Sequence, residues 1–291
     1  MARKINDTFL DELAKNSLKP ILDYVKYDDT LDMELRGDSV IIYYRGGKIL
    51  EIKEEAYEFI GLDKDYLLES KSIEAPSLTT FEDYFPKAKH VIDYYVVKKR
   101  NHLWEKEIQQ RIVQENNYSQ NSLSTDYFII DIEYQDIGRA DIVALQWIST
   151  TPARKLQNNY KPIITLFEVK QGKDSISGSS GIQKHYNDFQ KFIANPAKVE
   201  NFISDMAAVF QQKRELGLIR NMETYKLLTK TDISPDIEFV FLLANYDSDS
   251  TTLKNELKEI GDCNFICANP MGYGLYKKNI INKEKFIKLF L

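Results

Sequence analysis

The chain has 291 residues, 43% of them hydrophobic and 12% aromatic, with a formal net charge of -5. That length supports one large domain or two smaller ones with real cores, and the acidic balance argues against a surface that clings to nucleic acid everywhere, though not against a local basic groove. The longest apolar runs, such as FVFLLA at 239–244, are too short to cross a bilayer, and MARKINDTFLDEL lacks the apolar stretch of a signal peptide, so a soluble, cytoplasmic protein with no membrane partner is expected.

In chain order, periodicity predicts a helix near 6–25, then a β-hairpin from DSVIIYY, RGG and KILEI at 38–52, in which Gly46 and Gly47 supply the positive φ of the turn. A loop-like segment follows at 72–90, where Pro76 and Pro86 interrupt regular structure, and it sets the expected boundary between residues 1–98 and 99–291. The second part reads as a helix at 100–116, strands at 126–134, 139–148 and 162–171, and a helix at 180–194. Strands in IEFVFLLANY and CNFICANP then alternate with helices at 198–217, 250–260 and 282–290. Strands framed by helices imply an α/β (α+β) fold, a central mixed sheet flanked by helices, preceded by a helix and hairpin of unassigned role.

Cys263 and Cys267 fall four apart on one strand, too distant for a disulfide, and are expected to be small buried residues. His90, His102 and His185 have no partner at zinc-ligand spacing. The tail YKKNIINKEKFIKLFL carries Lys277, Lys278, Lys283, Lys285 and Lys288, which fit a basic groove or the solvated face of a terminal helix.

The stretch TLFEVKQG at 165–172 puts Glu168 and Lys170 on one face of a strand interior, which is costly unless they are paired or bind something. An acid two residues before a lysine is common in a chain that is 29% charged, and recurs at Glu51/Lys53, Glu69/Lys71 and Glu256/Lys258. What separates the copies is a second carboxylate at the same point in space, as divalent-metal chemistry requires. Pairing GRADIVALQW antiparallel to IITLFEVK sets Asp141 opposite Glu168 or a neighbour. In the N-terminal hairpin Glu51 falls opposite Ile41 and Asp38 lies roughly 10 Å further along, so that copy is expected to be a surface or edge-strand pair without a second acid. Glu256 fits a helix.

The order RNHLWEKEIQQRI, GRADIVAL, LFEVKQG, SGIQKHYNDF, spanning about residues 100–195, resembles the core of the PD-(D/E)XK, or restriction-endonuclease-like, nuclease superfamily. Arg139 and Ala140 stand where that motif often has a proline. The resemblance implies a Mg²⁺- or Mn²⁺-dependent hydrolase of phosphodiester bonds, with DNA the expected substrate. Asp141, Glu168 and the Val169 carbonyl would be metal ligands, Lys170 a catalytic cation, and Glu107 a further acid from the preceding helix. Glu105 flanks the same apolar stripe, and Glu107 with Arg111 is also an ordinary i,i+4 pair. Gln183 would be a polar side chain sent from the following helix, with His185 its neighbour; the local alternative is a capping box of Ser180 and Gln183. The expected buried face of that helix is Ile182, Tyr186, Phe189 and Ile193. Glycines and serines at 172–181 read as a mobile loop near substrate or as a plain connector. Another reading is a catalytically silent nuclease-fold protein that binds nucleic acid or a partner protein. Homo-oligomerisation is left open.

Overall fold

The computed structural model describes residues 2–68, 73–99, 104–135, 140–172, 175–244, 246–268 and 272–291. Its contacts divide the chain into two compact units, residues 1–119 with 208–223 and residues 120–207 with 224–291.

In the first unit, α1 (Asp7–Ala14) starts where Asn6 accepts the Phe9 N–H and ends at Lys15, and α2 (Lys19–Tyr27) begins with proline in its first turn. The expected single helix is therefore two. Strands β1 (Leu31–Leu35), β2 (Ser39–Tyr44), β3 (Gly47–Lys53) and β4 (Phe59–Ile60) form an antiparallel sheet in that order. The β2–β3 turn places Arg45 and Gly46, at φ 49° and 77°, in the left-handed region, as a two-residue hairpin loop requires. Gly47 is instead the first residue of β3, where an added Cβ would lie 2.7 Å from Ile92 Cδ1.

Helix α3 (Phe81–Lys98) runs through Pro86, where a loop was expected, because Phe81, Tyr84, Phe85, Ala88, Val91, Ile92 and Val96 bury a continuous stripe. That burial outweighs the lost backbone bond of one proline. Helix α4 (Trp104–Val113) continues into a π-turn at Gln114–Tyr118. It belongs to the first unit, not to the part after residue 98, and Gln110 provides the physical reason. The Gly46 N–H donates to its Oε1 at 2.8 Å, and its Nε2 donates to the carbonyls of Thr30 and Tyr43 at 3.1 Å.

The second unit contains β5 (Tyr127–Tyr134), β6 (Ala140–Gln146), α5 (Thr151–Arg154), β7 (Ile163–Gln171), α6 (Ile182–Ile193), α7 (Pro196–Glu215), β8 (Ile237–Ala244), α8 (Thr251–Lys258), β9 (Asn264–Ala268), β10 (Ile281–Asn282) and α9 (Lys283–Phe290). The last residues of α7 belong to the first unit. The sheet order is β10-β9-β8-β7-β6-β5. Strands β5, β6 and β7 form an antiparallel meander, β7–β8 and β8–β9 are parallel, and β10 closes antiparallel on β9. The fold is α+β, with one mixed sheet and one antiparallel sheet, each accompanied by helices.

Phe189 stacks on Phe239 with ring centroids 4.6 Å apart, and Phe265 on Phe286 at 4.7 Å, joining α6 and α9 to the sheet. The cysteines are free thiols, but Cys267 is exposed and Cys263 partly so. Their expected burial fails because β9 is flanked on its outer side only by the two-residue β10. In the basic tail, Lys277 pairs with Glu238 at 2.6 Å and Lys283 donates to the Ile260 carbonyl at 2.6 Å, so two of the five lysines are structural. Among the described residues no helix is long and apolar enough to cross a membrane.

Candidate active site

Strands β6 and β7 position the central residues. Their ladder pairs Ile142 with Phe167, one step before Asp141 comes into register with Glu168. Asp141 Oδ2 accepts the Val169 N–H at 2.7 Å, so its carboxylate lies against the backbone between Glu168 and Lys170. Lys170 Nζ donates to Glu168 Oε1 at 2.6 Å. All three side chains are buried, with 2% to 4% of each residue exposed. The structure thus brings Asp141, Glu168, Val169 and Lys170 together in the second unit.

Glu107 belongs to the first unit, where its Oε1 accepts from Arg45 Nε at 3.1 Å and Arg111 Nη2 at 2.9 Å. Between the two helix acids, Glu107 is buried and Glu105 half-buried. Gln183 is exposed, and its backbone N–H donates to Glu256 Oε2 at 3.2 Å. The expected capping box does not form, because α6 is capped by Gly181 with no side-chain bond. Gly181 is needed for close approach: a Cβ there would meet Ser177 Cα at 2.6 Å. Gly138 and Arg139 of the GRADIVAL stretch, and the Glu69/Lys71 copy, lie outside the described residues, as does His102.

Two further groups lie at or beside the site: His185, expected there only as the neighbour of Gln183, and Asp131, which the sequence did not single out. His185 Nδ1 lies 3.0 Å from Glu168 Oε1, the oxygen that also takes Lys170. The buried stripe of α6 is Ile182, Phe189 and Phe192, while Ile193 is 38% exposed. That stripe is rotated from the expected one, and His185, three residues after Ile182 and four before Phe189, falls on it. The second group is Asp131 on β5, buried and opposite Val143. A β-bulge between Ile129 and Asp131 transfers it to the face of β6 that carries Asp141. Glu133, with φ 55°, occupies the register position opposite Asp141.

The N-terminal copy differs from its expected role. Glu51 lies opposite Ile41, as the hairpin register requires, but β4 adds Ile60 on its other side and makes β3 an interior strand. Glu51 is buried and accepts from Lys53 at 2.9 Å and Lys48 at 3.0 Å, so it is no surface or edge pair. Lys53 also reaches Asp38 at 3.8 Å, but the Asp38 side chain is 78% exposed. Burial pushes the Glu51 carboxyl up, and the two lysine hydrogen bonds outweigh it, leaving the group below its usual range.

Asp141 and Glu168 offer carboxylate oxygens, hard donors that suit Mg²⁺ or Mn²⁺ better than zinc. Among the described residues no three His, Cys, Asp or Glu side chains are placed to enclose an ion together. An ion held by Asp141 and Glu168 would have to take the rest of its shell from other groups, such as water. No protein-family model matches the chain, and no curated protein or solved structure does so either.

Proposed function

We propose that the chain is a metal-dependent nuclease that hydrolyses phosphodiester bonds, with DNA its expected substrate. The observation that carries the reading is the convergence of Asp141, Glu168 and Lys170 across two adjacent strands, with Asp141 bonded to the Val169 N–H. The arrangement resembles the restriction-endonuclease-like core at the positions where that core carries its acids and lysine.

Asp141 and Glu168 would hold a divalent cation through their carboxylate oxygens, with the Val169 carbonyl beside them. The cation would supply Lewis-acid polarisation of a phosphoryl oxygen and a more acidic bound water. Lys170 has a compact point charge on a flexible stem, suited to neutralising the charge that builds on the phosphate or to orienting the attacking water. Near-complete burial of these groups strengthens each interaction relative to bulk water. The proposal uses Asp141, Glu168 and Lys170 without Glu107, whose carboxylate is committed to Arg45 and Arg111.

Cleavage of plasmid and single-stranded oligonucleotides with Mg²⁺, with Mn²⁺ and with chelator tests the proposal. Activity should require the metal and disappear in Asp141→Asn and Glu168→Gln. The buried Glu168–Lys170 pair also suits a catalytically silent, nucleic-acid-binding protein. In that case the parent binds the oligonucleotide without cutting it, and chelator changes nothing.

A further inference from the structure

Glu168 Oε1 receives two donors at once, Lys170 Nζ at 2.6 Å and His185 Nδ1 at 3.0 Å. A carboxylate oxygen that turns to a divalent cation loses room for one of them. The two donors differ in how firmly each is held. Lys170 carries a full positive charge on four methylenes, so a cation at the carboxylate repels it and its stem lets it move. The His185 imidazole is rigid on a short stem, and its ring stands on α6 between Ile182 and Phe189, both buried.

We propose that His185 is a positioning residue that anchors the Glu168 carboxylate when a metal displaces Lys170, so that metal entry itself turns the lysine toward the substrate phosphate. This inference rests on the metal-dependent reading above. It explains why one oxygen has two donors: the lysine occupies Glu168 before the ion arrives, and the histidine keeps the carboxylate in place afterwards. Outer hydrogen-bond partners of metal ligands act in this way, and their loss typically costs about 10- to 100-fold in metal affinity.

Calorimetric titration of Mn²⁺ into the full chain tests it, with thermal melts confirming that each variant is folded. His185→Ala should weaken Mn²⁺ binding by about tenfold or more. His185→Asn, whose amide nitrogen overlies the position of Nδ1, should restore most of that loss. Lys170→Met should bind Mn²⁺ as well as the parent or better, since the competing cation is gone. Parent-like affinity in His185→Ala, or an Asn variant as weak as Ala, overturns the role of His185 while the metal site stands. A parent that gives no Mn²⁺ heat overturns the nuclease reading and the inference with it.

Discussion

The Asp141 carboxylate accepts the Val169 N–H at 2.7 Å, so a candidate metal ligand also holds the backbone of the strand that carries the other ligand. One oxygen locks β7 against β6. The same side chain therefore contributes to stability and, in the proposed function, to metal binding, and isosteric substitution separates the two contributions.

Asp141→Ala should destabilise the second unit by about 1–3 kcal/mol, because it leaves a buried N–H without an acceptor. Asp141→Asn keeps an oxygen for Val169 and should stay near parent stability while losing the Mn²⁺-induced rise in melting temperature. Chemical denaturation with and without Mn²⁺ distinguishes the two effects, and an Asn variant that melts like Ala would contradict the locking role.

In the first unit, Lys213 Nζ pairs with Glu34 Oε1 at 2.6 Å, and both side chains are fully buried. Removing the lysine leaves the buried Glu34 carboxylate with the longer Arg36 contact at 3.7 Å, so Lys213→Ala should cost up to about 3–5 kcal/mol. Replacing both residues with apolar ones of similar volume, Glu34→Leu with Lys213→Met, should recover most of that loss. Urea denaturation of the single and double variants checks it.

Two glycines with positive φ should respond differently to alanine. Gly46 has φ 77°, and an added Cβ would lie 2.7 Å from the Lys106 backbone carbon and 2.8 Å from the Glu107 nitrogen, whereas Gly172 has φ 66° and nothing within 4 Å. Gly172→Ala should cost only the left-handed backbone penalty, about 1–2 kcal/mol. Gly46→Ala adds a backbone clash at the α4 contact and should cost clearly more, read as the difference in denaturation midpoint.

Burial pushes the Tyr84 hydroxyl up to about 12 from an ordinary value of 10.0. This hydroxyl donates to the Ile49 carbonyl at 2.5 Å and accepts the Leu62 N–H at 2.7 Å. A group with a raised folded-state pKa contributes stability that is complete below its unfolded value and lost as pH rises through the folded one. Stability of the first unit should therefore fall between pH 10 and about pH 12. Tyr84→Phe should lose about 1–3 kcal/mol at neutral pH, since two buried backbone groups lose their partner, and should show a shallower alkaline decline.

The longer strands of the second unit were legible because their apolar periods match their burial: FVFLLA in β8 and ITLFEVK in β7 are buried along almost their whole length. Strand β1 was not legible, since Asp32 and Glu34 resemble a solvated face and are in fact fully buried, bonded to Tyr118 and Lys213 from distant parts of the chain. The α4 assignment failed for a similar reason, because the Gln110 contacts that tie it to the hairpin span more than 60 residues. Asp131 was hidden by a bulge, and no alternation pattern marks which residue is the extra one. His185 was named only as the neighbour of Gln183 and placed off the buried face, because Ile193 in place of Phe192 rotated the expected stripe by a fraction of a turn.

The most direct test of the central claim is anomalous diffraction from crystals of the full chain soaked in Mn²⁺. A manganese peak is expected about 2.1 Å from carboxylate oxygens of both Asp141 and Glu168, with Lys170 Nζ withdrawn from Glu168. A well-diffracting soaked crystal with no peak at Asp141 and Glu168, and Lys170 still paired to Glu168, would contradict it.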